Sequence, residues 1–268
     1  MAYEFIIYEK KDHIAYVTLN RPELLNAINP PMSKELSDAF ADFTEDPDAR
    51  VAIVTGAGDR AFCAGADLKW RSEHPEEETT ERDTRRDGVA RRGIMRTEIW
   101  KPLIAAVNGY AVGGGMEVTL ICDVVIASET AQFGVPEVRN AGGLPGEGGI
   151  LRLPRQLPHK VAMWMLLSGQ LMSPQYMHSV GYVNDVVPPD KLMETAEYCA
   201  RVLCDNPPIG VQTSKEVALR ALDLPIDYPS TAWQNQWNGI TARMRDSEDR
   251  QESRRAWLEK RKPVYHNR

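Results

Sequence analysis

Two glutamates stand out for the segments that precede them. Glu117 follows Val112-Gly113-Gly114-Gly115-Met116, and Glu137 follows Phe133-Gly134-Val135-Pro136. Three glycines opening a helix expose backbone N–H donors at its positive end, where developing negative charge is stabilised. A carboxyl behind a proline, among the apolar Phe133, Val135 and Val138, is desolvated. Its pKa then rises and it stays protonated near neutrality, as a general acid requires. A third segment, Arg60-Ala61-Phe62-Cys63-Ala64-Gly65-Ala66-Asp67-Leu68, is built of small residues that let a ligand approach main-chain N–H groups closely. Taken singly, each segment reads equally well as a tight surface loop or a helix-start acid. None has the glycine spacing of a dinucleotide fingerprint in its strand-to-helix setting.

Positioning these segments requires strands that end in glycine turns. Phe5–Tyr8 and Ile14–Leu19 alternate around Lys10-Lys11-Asp12-His13 and predict a hairpin. Met32, Leu36, Ala39, Phe40 and Phe43 fall on one face of a helix from about Pro31. The apolar runs Val51–Thr55, Leu103–Val107 and Val124–Ala127 read as strands buried on both faces, the second closed by Asn108-Gly109. A further strand is expected over Val183–Val187, and helices over about 189–204, 209–222, 229–245 and 247–261. The charged stretch Arg71–Arg92 predicts a solvated, mobile helix or loop placed where a substrate-side lid would be. Strand–helix repeats followed by a helical tail, with no Ser/Gly/Pro-rich linker, indicate an α/β fold with parallel crossovers.

Composition narrows the function classes. A chain of 268 residues with a formal net charge of −6 has no bulk attraction for nucleic acid or anionic membrane. No apolar run approaches the roughly 20 residues of a membrane span. Met1-Ala2-Tyr3-Glu4-Phe5 lacks the features of a secretory leader, so a cytoplasmic location is expected. Cys63, Cys122, Cys199 and Cys204 show neither C-x-x-C spacing nor metal-ligand companions and read as buried thiols. The five histidines are scattered, so no metal site is expected.

In their order along the chain, these segments resemble the crotonase (enoyl-CoA hydratase/isomerase) superfamily. The likeness runs from Leu19-Asn20-Arg21-Pro22 and Asn26-Ala27 through Ala64-Gly65-Ala66-Asp67, Ala105–Gly109 and Gly113–Gly115. It continues through Phe133–Glu137, Pro145–Gly149 and Arg152-Leu153 to Glu259–Pro263. The resemblance implies a spiral of repeated ββα units over residues 1–195, and a C-terminal helical region over 196–268 that drives formation of a trimer or a dimer of trimers. It implies an acyl-CoA thioester substrate and no separate cofactor, since coenzyme A arrives with the substrate. The backbone N–H groups of Ala66 and Gly114 would form the oxyanion hole, with Glu117 and Glu137 as the catalytic pair. CoA would lie against Asn26, Ala27, Ala64, Ala66, Asp67, Leu68 and Lys69, with Lys260 and Lys262 meeting its phosphates, from a neighbouring subunit if not their own. Family hydratases carry both acids, whereas many isomerases keep only the one matching Glu137. Reversible hydration of a 2-enoyl-CoA is therefore expected. The alternatives are an isomerase, a carnitinyl-CoA dehydratase-like enzyme, a decarboxylase or C–C hydrolase, and a non-catalytic RNA-binding member. Glu147 departs from the small residue that many hydratases have there. It reads as a helix-start acid or as a third carboxylate contacting a polar or cationic acyl group.

Overall fold

The computed structural model describes residues 3–74, 97–226, 230–234 and 239–268. Alternating side chains make the opening hairpin. β1 (Ile6–Lys11) and β2 (Ile14–Leu19) pair antiparallel, with Ile6 opposite Leu19. Asp12 and His13 adopt the left-handed conformation of its two-residue turn. α1 (Pro30–Glu45) begins at Asn29, whose side chain accepts a hydrogen bond from Met32 N at 3.0 Å, and prolines occupy the first turn, where no N–H is needed. Met32, Leu36, Ala39, Phe40 and Phe43 form its buried stripe. At its far end the buried ammonium of Lys101 donates to the carbonyls of Phe43 and Asp46, both at 2.6 Å.

From there one ββα unit recurs three times among the described residues. The first is β3 (Val51–Gly56), β4 (Ala61–Cys63) and α2 (Leu68–Glu73). The second is β5 (Leu103–Val107), β6 (Tyr110–Val112) and α3 (Gly114–Thr119). The third is β7 (Val124–Ser128), β8 (Gln132–Gly134) and α4 (Glu137–Asn140). The long strands stack in a six-stranded sheet of order β1-β2-β3-β5-β7-β9, with β9 at Asp185–Val187, and every pair after the first is parallel. The short strands form a second parallel sheet, β4-β6-β8. The chain is thus a crotonase-like spiral.

Its corners are tied by asparagines. Asn108 Nδ2 donates to the carbonyls of Gly56, Gly58 and Ala61 at 3.0, 2.8 and 3.2 Å. Asn26 Nδ2 donates to Ala57 and again to Ala61, at 3.0 and 2.8 Å. A methyl group at Gly109 would collide with the carbonyl of Arg60, so the corner needs glycine.

The rest of the chain is mostly helical: α5 (Gly149–Gln156), α6 (His159–Ser168), α7 (Pro174–Ser179), α8 (Leu192–Cys204), α9 (Pro208–Ala221), α10 (Thr231–Gln234), α11 (Ala242–Arg245) and α12 (Glu248–Glu259). The 195/196 boundary read from the sequence falls inside α8. Leu192, Ala196 and Ala200 of that helix pack with Ile14, Val51, Ile53 and Ile104 of the large sheet. The strand expected over 183–187 is shorter, because Val183 N is taken by the Met177 carbonyl at 3.2 Å. The helix expected over 229–245 is not continuous among the described residues: Gly239 is helical but a turn at Ile240 and Thr241 precedes α11, and 227–229 and 235–238 lie outside them. Most of the charged stretch 71–92 also lies outside, in 75–96, while Arg71 and Glu73 belong to α2. Among the described residues no helix is long and apolar enough to cross a membrane. All four cysteines are free, with Cys199 only half-buried.

Candidate active site

The turns that follow the short strands converge. The segment after β4 is clamped against the segment before α1: Ala64 N donates to Leu25 O at 2.9 Å, Ile28 N to Gly65 O at 2.8 Å and Asp67 N to Ile28 O at 2.9 Å. Among the described residues Ala66 N–H is left without a partner between these bonds, and so is Gly114 N–H at the first turn of α3. The two lie side by side. A methyl group built on Gly65 would sit 3.0 Å from Gly114 N and 2.8 Å from Val112 O, and one built on Gly114 would sit 3.7 Å from Ala66 N. Gly65 also holds φ at +93°, so this approach is open only to glycine.

Glu117 projects from the first turn of α3 and is almost fully buried, at 2% exposure. Its Oε1 accepts from Glu147 N and Gly149 N, both at 2.8 Å. Burial pushes its carboxyl up to about 7 against those two donors, and the charges of Glu137 and Glu147 push the same way. Glu137 begins α4, and its Oε1 lies 3.2 Å from where a methyl group on Gly113 would be. Burial raises its pKa too, and its Oε2 is buried with no hydrogen-bond partner. Phe133 and Val135 are buried nearby as expected, whereas Val138 is 43% exposed and turns away. The arrangement offers two protonatable carboxyls at the edge of a paired-donor cradle.

Residues 9–268 match the family described as enoyl-CoA hydratase/isomerase. The chain belongs to the enoyl-CoA hydratase/isomerase family. It is 40% identical over 260 residues to the (E)-benzylidenesuccinyl-CoA hydratase of Thauera aromatica, covering 97% of this chain and 98% of that one. Identity to the carnitinyl-CoA dehydratase of Proteus mirabilis is 38% over 253 residues, 94% of each chain. Among solved structures, an enoyl-CoA hydratase from Bacillus anthracis superposes with a TM-score of 0.89 at 33% identity, covering 99% of this chain and 100% of that one.

Set in this enoyl-CoA hydratase/isomerase fold, the remaining sequence-read residues divide. Ala27, Ala64 and Ala66 are partly exposed beside the cradle, and Leu68 and Lys69 are exposed on α2. Asn26 is fully buried; besides its two carbonyl partners it accepts from Arg21 N at 2.9 Å, so its side chain serves the corner. Asp67 is likewise spent internally. It caps α2 through Trp70 N at 2.9 Å and pairs with the buried Arg21 at 2.9 Å. Burial alone would raise its pKa, but the Trp70 N–H and the guanidinium outweigh it and hold the carboxyl below its usual value. Glu147 is half-buried beside Glu117, and its backbone holds Glu117 on one side and accepts from Arg152 Nη1 at 3.0 Å on the other. Lys262 pairs with Asp205 at 2.9 Å and shares a cleft with His13 and Asp48, at the starts of β2 and β3. The structure therefore does not bring Lys262, or Lys260 at the end of α12, to the site of the same chain.

Sequence reasoning missed two things here. One is the grip of Glu147 N and Gly149 N on Glu117; its signal was the glycine run 146-148-149, since a methyl group on Gly149 would press to 3.0 Å from Glu117 Oε1. The other is the Arg21–Asp67 pair, which joins two motifs that had been read separately.

Proposed function

We propose that this chain is an enoyl-CoA hydratase. It adds water reversibly and syn to the double bond of a 2-enoyl-CoA, or removes it from a 3-hydroxyacyl-CoA. The observation that carries the reading is the pair of buried carboxyls with raised pKa values beside two unpartnered N–H groups. The thioester oxygen accepts from Ala66 N–H and Gly114 N–H. These donors are worth more to the enolate that forms on that oxygen than to the neutral carbonyl, and this difference lowers the barrier. Glu117 takes a proton from the water as its oxygen bonds to Cβ, and Glu137 gives a proton to Cα. The step ends with Glu117 protonated and Glu137 ionised, the state from which dehydration starts. Two neighbouring carboxyls resist joint ionisation and hold one proton between them, so the same pair serves both directions. No group beyond the substrate's own coenzyme A enters this balance.

An isomerase has no need for the second carboxyl, which is here both buried and held by two donors. Glu147, beside Glu117, is the acyl-group contact, and the likeness to a carnitinyl-CoA dehydratase favours a polar acyl group. A panel of neutral and cationic 2-enoyl-CoAs, followed by loss of the conjugated thioester absorbance, tests both points. Turnover of a 3-enoyl-CoA with no hydration of any 2-enoyl-CoA would overturn the hydratase reading. The assembly is a trimer or a dimer of trimers, supported by Trp164, Leu167, Trp257 and Leu258, each more than half exposed on the helices. In it, Lys260 and Lys262 meet the CoA phosphates of a neighbouring subunit. A monomer in light scattering at micromolar concentration would remove the assembly and this contact together.

A further inference from the structure

A cavity of about 420 Å³ opens beside the cradle. Ala64, Val112 and Pro136 line it, and each stands just before a residue of the site: Ala66, Gly114 and Glu137. It therefore borders the site along all three ββα units. Ala66, Gly114, Glu117, Glu137 and Glu147 are not among its walls, so it adjoins the cradle and does not include it. Its surface is mostly apolar, with Leu25 and Leu171 contributing, and one cation stands in its wall, Arg139.

Arg139 follows Glu137 by two residues on α4. Its side chain is exposed and makes no hydrogen bond or ion pair among the described residues. Elsewhere on the chain Arg155 pairs with Asp223, Arg201 with Glu197, and Arg220 with Glu98 and Glu216. A free guanidinium at the rim of an apolar slot is a planar fork of donors suited to a carboxylate or phosphate. An uncharged substrate would leave it idle.

We propose that Arg139 recognises an oxyanion carried by the thioester substrate, and so makes the enzyme selective for anionic thioesters. The inference rests on the hydratase reading for the position of the thioester. The oxyanion is a phosphate of the CoA arm or a carboxylate on the acyl chain, and both present the same fork of acceptors.

The test compares the wild type with Arg139→Gln and Arg139→Lys on three substrates: crotonyl-CoA, crotonyl-pantetheine, which lacks the phosphates, and a pantetheine thioester of an unsaturated dicarboxylic acid. A partly screened charge-assisted bond is worth about a tenfold change in KM. If the phosphate is the partner, the preference for crotonyl-CoA over crotonyl-pantetheine falls about tenfold in Arg139→Gln. If the carboxylate is the partner, it is the preference for the dicarboxylic thioester over crotonyl-pantetheine that falls. In either case Lys should restore part of the loss, and added salt should erode the wild-type preference more than that of Arg139→Gln. A merely structural role would move neither. Unaltered preferences for both anionic substrates in Arg139→Gln would overturn the proposal. Should the wild type hydrate none of the three, the hydratase reading fails. The Arg139 assignment is then still decided by calorimetric Kd values of CoA and the dicarboxylic thioester for wild type and Arg139→Gln, equal values overturning it.

Discussion

The first ββα unit and the two after it each place an acid around the start of the helix that follows the short strand, at its N-cap, its fourth residue and its first residue in turn. In the first unit it is Asp67, in the second Glu117 and in the third Glu137. Their chemistry diverges because only the first has a cation. Arg21 sits 2.9 Å from Asp67 with both side chains 8% exposed, and the carboxyl is held low. No described cation pairs with Glu117 or Glu137, and burial raises both. Acids at the starts of repeated helices thus become a structural strut or carboxyls suited to carrying a proton, according to what lies across from them.

Removing the proton carriers has the largest expected effect. Glu117→Gln and Glu137→Gln keep the side-chain shape and should each lower hydration turnover by roughly 10²–10⁴. The double variant should lose far less than the product, since both act on one water and one transition state. Near-full hydration by Glu117→Gln would end the two-carboxyl mechanism. Next comes the cradle. Gly114→Pro deletes one donor at a helix position where proline is tolerated, and should lower kcat by about 10²–10³ with an unchanged circular dichroism spectrum.

The strut is tested through stability. Arg21→Met leaves the Asp67 carboxylate buried without its partner and should cost about 3 kcal/mol in denaturant unfolding. Adding Asp67→Asn should recover part of it; if the single variant is neutral, the contrast between the units loses its basis. The smallest effect concerns pH. The folded pKa of Glu117, about 7, lies above the ordinary 4.5. Its contribution to stability is therefore fully present below pH 4.5 and is lost as pH rises through 7. Glu117→Gln, neutral throughout, should gain thermal stability relative to wild type across that window. A constant difference between pH 4 and 8 would mean that Glu117 is not raised.

The contrast also marks what the sequence could tell. Both glutamates were legible because their glycine and proline neighbours lie within a few residues, as do the apolar runs of the long strands. Asp67 was read as a ligand-side residue because its partner, Arg21, lies 46 positions earlier and charge pairing leaves no periodic trace. The corner role of Asn26 went unread for the same reason, as its bonds to Ala57 and Ala61 exist only once the corner closes. Lys262 was read toward CoA by its charge; the fold carries it to the opposite ends of its own chain's strands, which leaves the CoA of a neighbouring subunit as the reading to test.

The two donors of the cradle come from consecutive turns of the spiral, one beyond β4 and one beyond β6, and those strands are hydrogen-bonded neighbours. Adjacent strands stand roughly 4.8 Å apart wherever they pair. The gauge of the cradle is therefore a backbone constant that no single side chain sets. Sequence drift in the surrounding helices can reshape the acyl pocket while this spacing stays calibrated. One scaffold can in this way change its substrate many times without relearning how to hold a thioester.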